Sequence, residues 1–182
     1  MPTYYFATET TGINPAKDKI ITIQFQEIDK NTAQPIRPLI ILKEWESDEK
    51  TIIQHFLRGV QFNDEYDFSF VPIGYNLGFE HKFFRARCLV HQLPPVDILT
   101  KPFIDLRPLG IIANKGEFKG SGLEKLTHSP LDPKKVPMWY ASKEYDKITS
   151  YIQLQTQVFL RFAQWAYKHL PKELEKFRSD AP

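Results

Sequence analysis

Residues 20–28, IITIQFQEI, alternate with the two-residue period of a strand: Ile21, Ile23 and Phe25 share one parity, and Ile20, Thr22, Gln24 and Gln26 the other. The aromatic and β-branched run Thr3 to Glu9 precedes it, and the apolar run Pro38 to Trp45 follows after a polar turn. Three consecutive strands on short polar connections predict an antiparallel meander. The period then lengthens. From a capping Ser47, SDEKTIIQHFLRGV places Ile52, Phe56 and Val60 on one side of a helix, with acids in its first turn. Phe70 to Tyr75 predicts a short apolar strand, Phe79 to Leu93 a helix, and Phe103 to Leu106 a further strand entering a short helical piece. Beyond a loop rich in glycine and lysine, residues 122–128 predict a small helix and Pro130 to Pro137 an ordered loop. Asp146 to Leu170 is the longest helical pattern, and Pro171 suits the start of a further helix reaching Arg178. This order predicts an α/β class: a mixed β-sheet flanked by helices, in one domain over residues 1–182.

Composition narrows the setting. With 42% hydrophobic and 25% charged residues, the 182-residue chain can bury one core, and disorder is excluded as its default state. The formal charge of +2 excludes a histone-like, tail-driven nucleic-acid binder, so any contact with phosphates must be a local patch. The lone Cys88 excludes an internal disulfide framework and a zinc site of several thiolates, and fits a reducing cytoplasm. No apolar run of about 18 residues occurs, and the first residues lack the basic start and apolar stretch of a secretory signal. The expectation is a cytoplasmic protein without a membrane partner.

Three stretches carry candidate chemistry. Ala7-Thr8-Glu9-Thr10-Thr11-Gly12 puts a carboxylate at the end of the first strand, beside a glycine-ended turn. Gly74-Tyr75-Asn76-Leu77-Gly78-Phe79-Glu80 runs from a strand into a helix, where Glu80 reads equally as an acid favoured by the helix dipole. In the long helix, Ile148, Tyr151, Ile152, Val158, Phe159 and Phe162 form one apolar stripe, and Gln155 interrupts it. A buried amide needs partners, so Gln155 marks either a polar site or a satisfied structural glutamine. The five histidines show no paired-ligand spacing, and the glycine loop lacks the Gly-Lys-Ser/Thr ending of a nucleotide-binding loop.

Together these stretches resemble the DEDD-type 3′–5′ exonucleases of the ribonuclease H-like superfamily, in the branch whose third motif carries tyrosine. That family shows Asp-x-Glu-x-Thr-Gly, then Gly-(His/Tyr)-Asn-x-x-Phe-Asp, then Tyr-x-x-x-Asp on a late helix. The matching stretches here are residues 7–12, residues 74–80, and Tyr151-Ile152-Gln153-Leu154-Gln155. The resemblance implies a ribonuclease H-like fold with helices on both faces of the sheet. It also implies binding of single-stranded DNA or RNA by its 3′ end, Mg²⁺ or Mn²⁺ as cofactor, and a role of the DNA-repair kind.

By the same resemblance, Glu9 and Glu80 are the metal ligands, Tyr151 positions the attacking water, and Thr10, Thr11, Ile13, Tyr75 and Asn76 place the terminal nucleotide. The family holds two metal ions about 4 Å apart with four carboxylates. Here Ala7 stands at the first acid, Glu80 replaces an Asp, and Gln155 stands at the last acid. A designed exchange would account for Ala7 but not for the other two. Two readings follow: an atypical 3′–5′ exonuclease that recruits another acid, with Asp105 the candidate, or a non-catalytic nucleic-acid-binding or partner module.

Overall fold

The computed structural model describes residues 2–62 and 66–180. Its sheet has five strands: β1 (Thr3–Thr10), β2 (Ile20–Ile28), β3 (Ile40–Lys43), β4 (Val71–Gly74) and β5 (Ile104–Asp105), in the order β3-β2-β1-β4-β5. β1, β2 and β3 form the expected meander, while β4 and β5 join parallel to β1 and to one another. The sheet is therefore mixed. The third strand is shorter than its apolar run, because Glu44–Glu46 turn into one 3₁₀ turn.

Two cores lie on opposite faces of the sheet. On one, α1 (Glu49–Gly59) and α2 (Leu77–Val90) cover Phe6, Ile20, Ile23 and Phe25 with Ile53, Phe56, Phe83 and Phe84. On the other, α6 (Tyr145–Asp180) covers Tyr5, Ile21, Ile28 and Ile73 with Ile148, Ile152 and Phe159. Three short helices complete that side: α3 (Arg107–Ala113), α4 (Leu123–Leu126) and α5 (Lys135–Ala141). Asp48, not Ser47, caps α1, its carboxylate accepting the Thr51 N–H at 2.8 Å.

Simple alternation in β2 fails at one place. Glu9 pairs with Thr22 but Thr10 with Ile20, so Ile21 is the extra residue of a β-bulge. The bulge sends Ile20 to the face of Ile23 and Phe25, and Ile21 to the face of Gln24 and Ile28, the reverse of strict parity. It sits opposite Glu9, where it bends the strand at the site.

Two proline expectations are also corrected. Pro137 lies inside α5 rather than in a loop, and Pro171 lies inside an unbroken α6 rather than opening a new helix. Pro137 occupies the third position of its helix, where the missing N–H would have had no intrahelical acceptor. Among the described residues, no helix is long and apolar enough to cross a membrane.

Candidate functional site

The parallel arm of the sheet brings the C-terminal ends of β1, β4 and β5 to one edge, facing α6. A cavity of about 300 Å³ opens there. Ala7, Thr8, Tyr75, Asn76, Glu80, Tyr151 and Gln155 all line it, so residues from the three separated stretches converge. Glu9 lies behind this lining. It is buried, at 7% exposure, and touches the cavity through amides: the Gln24 amide donates to Glu9 Oε1 at 3.5 Å and to Gln155 Oε1 at 3.2 Å. The Tyr5 hydroxyl donates to the same Gln155 oxygen at 3.4 Å, and Thr22 Oγ1 donates to Gln24 Oε1 at 3.0 Å. A ladder of neutral groups therefore runs from β2 across β1 to α6. Gln24 is fully buried and was not singled out in the sequence. In the sequence it is one of three polar residues, Thr22, Gln24 and Gln26, on the same parity of β2, with nothing to distinguish it from a solvent-facing position.

Burial dominates the ionisation of both acids. It pushes the Glu9 carboxyl up to about 7, against the opposing amides of Gln155 and Gln24. It pushes Glu80, 6% exposed, up to about 8, with backbone N–H groups of Glu80 and Thr8 opposing and the Glu9 charge adding. Glu80 Oε2 and Thr8 Oγ1 are buried without a hydrogen-bond partner. Burial also raises the Tyr151 phenol, and the Glu9 charge adds to it, so at neutral pH this hydroxyl is a donor. The ring is held edge-on by Trp139 at 6.1 Å.

The remaining residues are built into turns. Thr10 Oγ1 donates to the Gly12 carbonyl, Thr11 Oγ1 accepts the Lys19 N–H, and Ile13 stands 87% exposed in the β1–β2 loop. Tyr75 donates to the Ser121 carbonyl at 2.5 Å, and only a glycine fits at 110, where a Cβ would collide with the Tyr75 hydroxyl. Asn76 has a left-handed backbone, φ 72°. Asp105 stabilises it: Oδ1 accepts the N–H groups of Asn76 and Arg107 at 2.8 and 3.0 Å, and Oδ2 accepts that of Leu77 at 2.9 Å. Both oxygens of the candidate compensating acid are thus engaged with backbone. Arg107, on the cavity wall, donates to Asn76 Oδ1 at 2.6 Å.

A model of the RNase H superfamily matches residues 4–147. The chain belongs to the RNase H superfamily. The match reaches from β1 to the first turn of α6 and stops before Tyr151. No curated protein matches the sequence. Among solved structures, the fold is similar to exonuclease I, with a TM-score of 0.61 at 11% identity over 98% of this chain and 43% of that one. It is likewise similar to E. coli exonuclease I with a dT13 oligonucleotide, TM-score 0.59 at 12% identity, over 97% of this chain and 43% of that one. A zinc-bound E. coli exonuclease I–single-stranded DNA complex gives 0.58 at 12%, over 98% and 43%. At such identities the likeness establishes the fold. This chain spans less than half the length of those structures.

The donor set was tested against the metal pair that the exonuclease resemblance implies. Ala7 offers no ligand atom, and Gln155 Oε1 already accepts from Tyr5 and Gln24. Among the described residues, no three acidic, histidine or cysteine side chains gather at one point. Two doubly charged cations at close range need more fixed negative charge than two carboxylates supply, so this cavity does not fit the pair.

Proposed function

We propose that this chain binds the 3′ end of single-stranded nucleic acid in the cavity beside α6 and has lost two-metal phosphodiester hydrolysis. One observation carries the reading: residues of all three motif stretches line one cavity, while the positions of the first and last acids hold a methyl group and an engaged amide. In this reading Tyr75 and Asn76 meet the terminal nucleotide, Tyr151 donates a hydrogen bond to it, and Ile13 packs against its base from the β1–β2 loop. Thr10 and Thr11 hold that loop in shape. Glu9 and Glu80 line or support the pocket as largely neutral groups. A cytoplasmic setting belongs to the same reading, since a chain with a single cysteine fits a reducing compartment.

The test uses 5′-labelled dT12 and rU12 with Mg²⁺, with Mn²⁺ and with chelator. The expected result is a mobility shift of equal strength in all three conditions, weakening as salt rises, with no shortening of the strand. A metal-dependent ladder from the 3′ end, abolished by Glu9→Ala, would instead establish an exonuclease working with a depleted ligand set. The two substrates also decide between DNA and RNA.

A further inference from the structure

Arg107 is the cation of this cavity that neither the acids nor the motifs explain. Its guanidinium lines the wall and donates to the amide oxygen of Asn76, a neutral acceptor. Among the described residues it forms no ion pair with an acid within 4.0 Å, whereas Arg87 is bound bidentately by Glu49. A defined turn holds Arg107 there. Asn76 sits in the left-handed region, which asparagine tolerates better than other non-glycine residues, and Asp105 engages both oxygens in fixing the backbone of Asn76, Leu77 and Arg107. A guanidinium positioned by a neutral oxygen keeps its other N–H donors and its whole charge for a ligand. The same cavity holds a second unused donor: Thr8 Oγ1 is buried, lines the wall and has no partner.

Resting on the proposed function, we infer that Arg107 is the phosphate-binding residue of this pocket. It takes the 5′-phosphate of the terminal nucleotide directly, with the Thr8 hydroxyl as a further donor and no metal ion between protein and phosphate. The ligand class is a nucleoside 5′-monophosphate unit, free or at the end of a strand. A cavity of about 300 Å³ is of the size that holds one small ligand, not a stretch of strand. Asp105, in this assignment, is a positioning residue that sets the turn carrying Asn76 and Arg107. Glu124, on the same wall, opposes an incoming anion.

The experiment measures thymidine and thymidine 5′-monophosphate by calorimetry, and dT12 by anisotropy, each in chelator and again with Mg²⁺. The wild type is expected to prefer the monophosphate to the nucleoside. Arg107→Gln is expected to weaken monophosphate binding by about tenfold or more while leaving thymidine unchanged, as loss of a charge-assisted phosphate contact requires. Arg107→Lys should restore part of it, Thr8→Val should cost less than Arg107→Gln, and Glu124→Gln should tighten it. Thermal midpoints of the variants keep folding apart from binding. If Arg107→Gln binds the monophosphate within twofold of wild type, or if the monophosphate binds only with a divalent cation, the assignment to Arg107 is overturned. A wild type that binds dT12 but shows no preference for the phosphate overturns this assignment alone. A wild type that binds none of the three ligands overturns the proposed function, and this assignment with it.

Discussion

Gln155 receives two hydrogen bonds on one oxygen, and each donor is a buried group with no water to fall back on. Replacing it with the acid found in the exonuclease pattern shortens the side chain and places a carboxylate beside Glu9. Gln155→Asp is therefore expected to lower the unfolding free energy by about 2–4 kcal/mol, measured by urea denaturation at pH 7.5. Ala7→Asp adds a charge at the cavity lining, and with 5′-labelled dT12 neither exchange alone is expected to yield a 3′ ladder. Glu9 and Glu80 give a pH signature. Their pKa values in the fold, about 7 and about 8, lie above those of the unfolded chain, so between about pH 4.5 and 8 the native state binds more protons. Stability then falls as pH rises through that window and levels off above it. Thermal midpoints from pH 5 to 9 should show this decline, and Glu80→Gln should flatten it and exceed wild type at pH 8.5.

Among the elements, α1, α2 and β2 share one polar tie at the rim of an otherwise apolar core. Glu49 accepts Nε and Nη2 of Arg87 at 2.8 and 2.7 Å, His91 Nε2 lies 2.8 Å from Oε2, and the Ile20 N–H donates at 2.7 Å. Removing the carboxylate leaves a buried guanidinium unpaired, so Glu49→Ala is expected to cost about 3–5 kcal/mol in a denaturant titration. In the sequence this glutamate was only one acid in a first turn. Its partners lie 38 and 42 positions away, beyond what helical spacing can connect. The end of α6 behaves oppositely. Residues 171–179 are all exposed, so ending the chain after Leu170 should change stability by less than about 1 kcal/mol. Strands and long helices were legible because their apolar periods are long enough to show. α5 was not, since Pro133 and Pro137 mask seven residues whose helix needs no N–H from proline in its first turn. The bulge at Ile21 was also hidden, because it is defined by the partner strand and not by β2 itself.

At the level of the whole molecule, the sheet does what three short motifs cannot do separately: it carries residues more than 140 positions apart to one cavity. The motifs revealed Glu80, Tyr75, Asn76, Tyr151 and Gln155 as neighbours. They did not reveal Gln24, nor any role for Thr8 within the first motif or for Arg107 beside Asp105, because those roles depend on which groups stand opposite them. Nor could they show that Asp105 spends its oxygens on backbone N–H groups, since a turn of that kind is decided by the path of three residues in space. A strand bound in the cavity stabilises the native state by mass action. With dT12 at 100 times its Kd, unfolding should cost about 2.7 kcal/mol more, and the gain should survive chelator. A gain seen only with Mg²⁺ or Mn²⁺ would count against a metal-free grip.

The amide ladder from Gln24 to Gln155 also works as a ratchet. An aspartate at 155 would still accept, but it is one methylene shorter and draws its oxygens away from the Gln24 amide and the Tyr5 hydroxyl, and a carboxylate at 7 would face two acids whose charging burial already opposes. Each single exchange is therefore expected to lower stability by itself, and acids at both 7 and 155 are needed before the cavity carries enough charge for a pair of cations. In the proposed reading, a cleft without two-metal chemistry is held so by two glutamines and a tyrosine, and a single point substitution does not undo it.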